Sequence, residues 1–220
     1  MDSHEAILAR HSARAFRPEA VPREVLERVF TLAQRAPSWC NIQPWRVCVT
    51  APEVTRELSK LLLAATSTMA IEPDFAFPTK YPEPYSKHRR ECGAALYGAM
   101  GVGRDDGEGR RRAWLRNYEI FDAPHAAVVS MDRRWGTYPA IDVGVWLGTL
   151  LVAMTAEGLA ACPQAALAAY PSVLRELLHI PADEGVLFGI ALGFEDGAAP
   201  VNACRTTRSP LAENVRFVGF

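Results

Sequence analysis

The chain has 220 residues, and its formal net charge of −1 gives no overall field that would attract nucleic acid or an acidic membrane surface. Its hydrophobic fraction of 49% is ordinary for a globular protein, and its length suits one sizeable domain or two small ones. The five cysteines are odd in number and form no CxxC pair, so we expect free thiols in a reducing compartment rather than disulfides.

The pattern of helices and strands predicts a single domain over residues 1–220. Apolar residues at helical spacing predict helices over 3–11, 22–37, 52–70, 86–103, 140–157 and 170–181, and another that ends near residue 120. Alternating or continuous apolar runs predict strands over 45–51, 125–131 and 185–196. No repeat, linker or low-complexity segment divides the chain, which indicates one domain of mixed helices and strands.

Residues 72–85, called here the proline-rich loop, hold four prolines and four aromatic residues. That composition excludes a regular helix. Two alternatives remain open, a packed surface loop and a lid whose rings select the substrate of a site. The aromatic residues concerned are Phe75, Phe77, Tyr81 and Tyr85.

The longest apolar run, Val143 to Ala156, falls short of the about 20 residues that a membrane span needs. A helix that is apolar on all sides belongs in a core or a subunit interface, so we expect no membrane association. The opening segment MDSHEAI has neither the basic nor the apolar region of a signal peptide. We therefore expect a cytoplasmic protein.

The stretch ILARHSARAF, residues 7–16, concentrates bases near the start of the chain. Arg10 and Arg14 are four residues apart and share one side if the segment is helical, and Ser12 adds a hydroxyl. Guanidinium groups form forked hydrogen bonds with a phosphate monoester, so the pattern indicates a site for a dianion. A solvated basic turn is the alternative for this stretch taken alone.

Amide side chains precede the first predicted strand, in the stretch APSWCNIQPWRV. Asn41 and Gln43 carry both donors and acceptors, so they can bind the edge of a heterocycle. Ser38 adds a hydroxyl, and Pro37 and Pro44 would stiffen the loop that presents these groups. A plain turn accounts for Ser38 and Asn41 but not for Gln43.

The tail after Asp196 is apolar with little periodicity, so we expect it to dock on this domain or to wrap around a partner subunit. It contains the stretch NACRTTRSP. Arg205 and Arg208 in that stretch are either surface charges or the completion of an anion clamp with Arg10 and Arg14.

Several common catalytic motifs are absent. The sequence has no GxSxG of a serine hydrolase and no GxxxxGK[ST] of a nucleoside triphosphate site. Glycines at 101, 103 and 107 resemble a dinucleotide fingerprint, but they follow a predicted helix rather than a strand. The five histidines show no HExxH spacing, so we expect no metal site.

Four motifs in order resemble the FMN-dependent nitroreductase family. RHSAR resembles its N-terminal flavin-binding motif, and APSWCNIQPW resembles its PSxxNxQPW loop. GLAACPQAAL resembles the segment that passes the flavin ring, and GIALGFEDGAAPVN with RTTRSP resembles the closing strand and phosphate-binding arginine. The match runs from about residue 5 to the C-terminus, and its wording looks most like the nitrobenzoate-reductase branch.

The resemblance implies an α+β fold with a central mixed β-sheet flanked by helices. It also implies a domain-swapped homodimer with exchanged C-terminal tails. Two FMN sites would lie at the subunit interface, each built from both chains, and the helix over 140–157 would form the dimer core.

The resemblance further implies which residues contact FMN. The phosphate would be held by Arg10, Ser12 and Arg208, with help from Arg14 and Arg205. His11 would lie along the flavin and ribityl chain. Contacts to the ring or ribityl from the other subunit would come from Ser38, Asn41 and Gln43. The segment against the ring would be Pro163, Gln164, Ala165 and Ala166, where some members carry Glu-Gly in place of the two alanines.

The implied activity is the reduction of nitroaromatic or quinone-type acceptors with NADPH or NADH as electron donor. Donor and acceptor would use one site in turn, which gives ping-pong kinetics, with no side chain as an obligatory acid or base. Two alternatives stay open. One is a flavin enzyme of another class, for oxygen-dependent flavin fragmentation or dehalogenation, and the other is a non-catalytic FMN-binding storage or sensing module.

Overall fold

The computed structural model describes all 220 residues and contains eight α-helices and four β-strands. The helices are α1 (Ser3–Ala9), α2 (Arg23–Ala33), α3 (Pro52–Thr68), α4 (Tyr85–Ala99), α5 (Gly107–Leu115), α6 (Thr137–Ala156), α7 (Pro171–Leu178) and α8 (Leu211–Asn214). The strands are β1 (Arg46–Val49), β2 (His125–Asp132), β3 (Ala160–Gln164) and β4 (Glu184–Gly193).

The predicted helices and strands are all present, with ends that differ by a few residues. The helix predicted to end near residue 120 is α5, which ends at Leu115. Residues Ile120, Phe121 and Asp122 adopt left-handed backbone angles, with φ of 53°, 55° and 60°, and a right-handed helix cannot run through them.

The four strands form one antiparallel sheet in the order β1-β2-β4-β3. The resemblance implied a mixed sheet, but no pair of these strands is parallel. The one parallel contact is an isolated bridge between Ser12 and Ala161 of β3. Within this chain the sheet is therefore antiparallel, and the parallel element comes from the N-terminal segment.

Strand β3 was not predicted from the sequence. Its residues, AACPQ, include no β-branched side chain, and Pro163 lacks a backbone N–H. The strand forms because it pairs with β4, where Cys162 lies opposite Ala191. Since β3 is at the edge of the four-stranded sheet, its outer side carries only the isolated bridge from Ser12 to Ala161, and Pro163 interrupts no extended ladder there.

The sheet carries an apolar layer on each face. Alternate residues of β2 supply the two layers, with Val128 in one cluster and Val129 in the other. Helix α3 fills the first layer with Leu58 and Leu62, and α6 fills the second with Trp146, all of them completely buried. Burial of each such side chain stabilises the fold by about 1.5–3 kcal/mol.

Helix α6 has 20 residues, and by length and composition alone it is long enough to cross a membrane. The expectation that this run is too short is therefore wrong, because residues before Val143 are helical too. Trp146 and Leu150 are completely buried against the protein, and the buried Asp142 accepts a hydrogen bond from the Trp39 backbone N–H at 3.1 Å. These contacts give the helix a packed side and leave the other side exposed.

The proline-rich loop is anchored at its beginning by a buried carboxylate. The Asp74 side chain is 5% exposed and forms ion pairs with Arg133 and Arg175. It also accepts a hydrogen bond from the Val186 backbone N–H at 2.8 Å. Asp74 thereby ties the loop to three separate elements of the fold.

Two of the loop's aromatic residues also pack on the body of the protein. Phe75 covers Gly185, where a Cβ atom would come within 2.5 Å of its ring, and Phe77 packs against one of the core clusters. Tyr81 and Tyr85 are exposed by 42% and 61%. The loop is therefore packed in its first half, and only its second half has rings free to meet a ligand.

We predict that Asp74→Asn lowers the free energy of unfolding by about 3 kcal/mol, because it leaves the Arg175 guanidinium without its buried counterion. Urea unfolding at a fixed protein concentration measures the change. Glu57→Gln breaks an exposed pair with Lys60 and should leave stability nearly unchanged. Equal stability of Asp74→Asn and the parent chain would show that Asp74 is not the anchor.

Candidate functional site

The basic motif near the N-terminus is extended rather than helical. Helix α1 ends at Ala9, and Arg10 has φ −57° and ψ 124°. The placement of Arg10 and Arg14 on one side of a helix is therefore wrong. The motif instead runs beside β3, where Ser12 forms its parallel bridge and the Ala13 N–H donates to the Ala161 carbonyl at 3.2 Å.

The His11 ring is fixed at both of its nitrogens. Nδ1 lies 2.9 Å from the Ala9 carbonyl oxygen, and Nε2 lies 2.9 Å from Glu195 Oε1. Glu195 lies two residues after the end of β4, and its own backbone bridges Phe16. The sequence singled out His11 but not Glu195, because 184 residues separate the two.

A buried amide joins the N-terminal motif to the C-terminal tail. Asn202 is 3% exposed, and its Oδ1 accepts a hydrogen bond from the Arg14 backbone N–H at 2.6 Å. Its Nδ2 donates to the carbonyls of Ala15 and Asp196 at 2.8 and 2.9 Å. The Arg205 guanidinium donates to the Asn202 carbonyl at 2.5 Å. Asn202 thus holds Arg205 beside the stretch that carries Arg14.

The arginines of the proposed anion clamp have no acidic partners. None of the four has a carboxylate within 4.0 Å, whereas Arg28, Arg116 and Arg175 are all ion-paired. The four unpaired residues are Arg10, Arg14, Arg205 and Arg208. Their hydrogen bonds go to backbone or hydroxyl oxygens, as with Arg14 and the Ser12 carbonyl at 3.3 Å. This donor set fits a phosphate group.

Within one chain the clamp is not closed. Arg208 donates to the carbonyls and hydroxyl of its neighbours Thr206 and Thr207. It lines an open cavity of about 650 Å³ between the tail and α4, together with Arg205 and Tyr85. Arg14 lines a different cavity, of about 210 Å³. The structure joins Arg205 to the N-terminal motif through Asn202, and leaves Arg208 apart from it.

The last residue of β3 is a buried glutamine whose side-chain oxygen has no hydrogen-bond donor. Gln164 is 3% exposed, and its Nε2 donates to the Asn117 carbonyl at 2.8 Å. Its Oε1 is buried and has no hydrogen-bond partner. Pro163 and Ala166 are half-buried and Ala165 is exposed, so this segment can lie against a flat ligand. A bound group that donates a hydrogen bond to Gln164 Oε1 would satisfy this buried oxygen.

Cys162 lies between these two parts of the site. Burial raises the pKa of its thiol, although the nearby Arg14 charge and Ser12 hydroxyl oppose that shift. The thiol is therefore neutral at neutral pH, and it serves the packing of β3 against the basic motif rather than as a nucleophile.

The loop that carries Ser38, Asn41 and Gln43 has an unusual backbone. Cys40, Asn41 and Gln43 have positive φ angles of 47°, 56° and 48°. Such left-handed backbone angles in non-glycine residues cluster at functional sites. The loop bonds to itself, since the Gln43 N–H donates to Ser38 Oγ at 3.0 Å and Gln43 Nε2 donates to the Asn41 carbonyl at 3.1 Å. No hydrogen bond joins it to the basic motif.

Helix α6 holds this loop in place. Asp142 accepts from the Trp39 backbone N–H, and the Trp39 ring meets Tyr138 edge to face with centroids 5.0 Å apart. Asn41 and Gln43 remain exposed. Their side chains are therefore presented on a fixed turn at the surface, which suits contact with a group held by another chain.

The residues present fit FMN in three respects. The guanidinium groups without carboxylate partners suit the FMN phosphate. Gln164 Oε1, a buried acceptor without a partner, lies in the segment expected to contact the flavin ring. The exposed amides of Asn41 and Gln43 are presented by a loop with a fixed backbone. No group of three or more His, Cys, Asp or Glu side chains is arranged to hold a metal ion.

We predict that Asn202→Ala lowers the free energy of unfolding by about 1–3 kcal/mol, because it leaves the Arg14 N–H without a partner. The Ala15 and Asp196 carbonyls each lose one hydrogen bond and keep one from a backbone N–H. Thermal and urea unfolding measure the loss. The matched change Asn214→Ala, at an exposed position of α8, should have little effect. Equal effects of the two substitutions would contradict the role given to Asn202.

Comparison with known proteins finds a matching family model and similar relatives. The model of the nitroreductase family matches residues 7–194. The nitroreductase NfnB of Mycolicibacterium smegmatis is 35% identical over 96% of this chain and 90% of its own length. The 4-nitrobenzoate reductase of Pseudomonas putida is 30% identical over 100% of this chain and 97% of its own.

The fold of this chain is also similar to that of a solved nitroreductase structure. The crystal structure of the FMN and NADPH-dependent nitroreductase NfnB from Sphigopyxis sp. strain HMH superposes with a TM-score of 0.96 at 33% identity, and each chain covers 100% of the other. The α+β architecture of this chain is therefore that of the solved protein. The chain belongs to the nitroreductase family.

Proposed function

We propose that this chain is an FMN-dependent oxidoreductase that uses NAD(P)H to reduce nitroaromatic or quinone-type acceptors. The observation that carries the proposal is the set of arginines without acidic partners. Asn202 links two of them, since it accepts from the Arg14 backbone N–H and from the Arg205 guanidinium. Family membership, with relatives called nitroreductase and 4-nitrobenzoate reductase, supports the same activity.

The N-terminal motif and the tail would bind the phosphate of FMN. Arg10, Ser12 and Arg14 approach it from beside β3, and Arg205 and Arg208 approach it from the tail. Charge-assisted hydrogen bonds from guanidinium to phosphate contribute about 1.5–3 kcal/mol each. His11, fixed by Glu195, would lie along the ribityl chain.

The flavin ring would lie against residues 163–166, where Gln164 Oε1 would gain a donor. When bound, FMN supplies the hydride chemistry at its N5 atom. This chain's own residues position the ring and exclude water from one of its faces. Ser38, Asn41 and Gln43 would contact the ring or ribityl of the partner's FMN from their rigid loop.

We assign no side chain as an obligatory acid or base. Burial raises the pKa of Tyr118 to about 12 and also raises the pKa of the Cys162 thiol, so neither group titrates near neutral pH. Both ring nitrogens of His11 are engaged by oxygen atoms. Protons would come from water.

The exposed rings of Tyr81 and Tyr85 would meet the acceptor, from the second half of the proline-rich loop. Phe75 and Phe77 would act indirectly by holding the first half of the loop on the protein.

A homodimer with exchanged tails would complete the site. Strand β1 has an open edge beside a groove of about 650 Å³ that is lined by Leu26, Phe30, Val47 and Val49. The tail ends in VRFVGF, with Phe217 and Phe220 exposed by 66% and 104%. An apolar strand-like segment and an unpaired strand edge are complementary.

The exposed side of α6 would face the second subunit rather than a lipid bilayer, with Ile141 and Val145 exposed by 53% and 40%. We further propose that residues 1–220 form one domain in the cytoplasm. The net charge of −1 gives no reason to expect a nucleic-acid partner.

Steady-state kinetics test the proposed function. Oxidation of NADPH at several fixed concentrations of 4-nitrobenzoate should depend on the acceptor and give parallel double-reciprocal lines, because donor and acceptor use one site in turn. Intersecting lines would contradict the shared site. Absence of acceptor-dependent oxidation with both NADPH and NADH would contradict the proposed activity.

Removal of the tail tests the dimer. We predict that a chain ending at Asn214 has a higher dimer dissociation constant in analytical ultracentrifugation than the full chain, since the groove beside β1 loses its occupant while the contact of α6 remains. Arg216→Ala changes the tail without removing its apolar residues and should stay dimeric. A truncated chain that dissociates no more readily than the full chain would show that the tail does not bind the partner subunit.

A further inference from the structure

A second concentration of arginines lies outside the proposed flavin site, between α4 and α5. It lines an open cavity of about 740 Å³, a size typical of sites for small ligands. The cavity contains Arg89, Arg90, Arg104 and Arg110, and none of its lining residues is acidic. The net charge of the chain is −1, but these four arginines create a positive electrostatic potential inside the cavity. A concave surface focuses such a potential.

Two of the four side chains are held in place by aromatic rings. The Arg89 guanidinium lies 5.1 Å from the centroid of the Tyr81 ring, and the Arg110 guanidinium lies 5.1 Å from that of Tyr97. Arg110 Nε also donates to the Gly103 carbonyl at 3.4 Å. Guanidinium groups held in this way lose less side-chain entropy when an anion binds.

Two acidic side chains beside the cavity are engaged by other groups, and neither lines the cavity. Glu83 pairs with Arg90 at 3.1 Å, and Asp106 accepts from the Gly109 N–H at 2.8 Å as the cap of α5. Arg104 and Arg110 have no carboxylate partner. No carboxylate lines the cavity, and only one of its four arginines, Arg90, has an ion-pair partner.

The cavity is also kept open by glycines. A Cβ atom added at Gly93 or Gly98 of α4 would meet nothing within 4 Å. Glycine within a helix costs about 0.5–1 kcal/mol relative to alanine, so two of them here lower helix stability and leave room for a ligand.

The cavity adjoins the groove that holds Arg205 and Arg208, because Cys92 of α4 lines both. Resting on the proposed function, we propose that the cavity between α4 and α5 binds the adenosine 2′-phosphate of NADPH and thereby selects NADPH over NADH. The 2′-phosphate is the dianion that distinguishes the two donors, and a forked guanidinium is the group suited to bind it. Arg104 and Arg110 are its principal ligands.

Binding of 2′,5′-ADP and 5′-AMP to the purified holoprotein, measured by calorimetry, tests the proposal, since the two nucleotides differ only in the 2′-phosphate. The parent protein should bind 2′,5′-ADP at least about tenfold more tightly. Arg104→Ala and Arg110→Ala should each weaken that binding by about tenfold and leave 5′-AMP binding unchanged. They should raise the KM for NADPH but not the KM for NADH.

Two further variants serve as controls. Arg111→Ala removes a neighbouring arginine that does not line the cavity and should bind 2′,5′-ADP like the parent protein. Gly93→Leu fills the cavity without removing a charge and without breaking α4, so it should weaken 2′,5′-ADP binding as well.

Equal affinity of the parent protein for the two nucleotides would overturn the proposal, as would equal effects of Arg104→Ala and Arg111→Ala. Binding of inorganic phosphate as tight as that of 2′,5′-ADP would also overturn it, because the site would then take free phosphate. A protein that binds no FMN and oxidises neither dinucleotide would overturn the proposed function instead, and the nucleotide titration would still report on the cavity.

Discussion

The carboxamide of Asn202 connects the two ends of the chain, and the candidate site depends on that connection. Its three hydrogen bonds fix the backbone of Arg14 and Ala15 against the turn that follows β4. The same residue carries the carbonyl that holds Arg205. Because Ser12 and Ala13 are bonded to β3, the amide connects the N-terminal motif, β3 and the start of the tail.

Electrostatics explain why this unit suits an anion. Two half-buried arginines elsewhere in the chain, Arg116 and Arg175, have carboxylate partners in Glu119 and Asp74. The arginines of the motif and the tail have none. A half-buried guanidinium such as that of Arg14, bonded only to a carbonyl, gains most from a phosphate, since the phosphate supplies the missing charge.

Much of the fold followed from sequence, because the periodicity of apolar residues sets the long helices and the central strands. The sequence singled out Arg10, Ser12, Asn41 and Gln43 as candidate site residues, and their contacts with FMN stay a prediction. The geometry of the basic motif was not predicted, since α1 ends at Ala9 and the motif is extended along β3. Strand β3 itself has no local signal, and only its pairing with β4 makes it a strand.

The partners that hold the site had no sequence signal either. Glu195, Asn202 and Asp142 act on residues more than a hundred positions away, on His11, Arg14 and Trp39. A polar residue that satisfies a distant backbone group cannot be told from a surface polar residue until the chain is folded.

The most direct measurement of the central claim is the absorption spectrum of the purified protein, before and after anaerobic addition of NADPH. The account predicts flavin bands in the isolated protein that bleach when NADPH is added. Flavin bands that persist under NADPH and under NADH would contradict the reductase and favour a module that stores or senses FMN. A colourless protein that does not take up added FMN would contradict the assignment of Arg10, Ser12 and Arg208 to its phosphate.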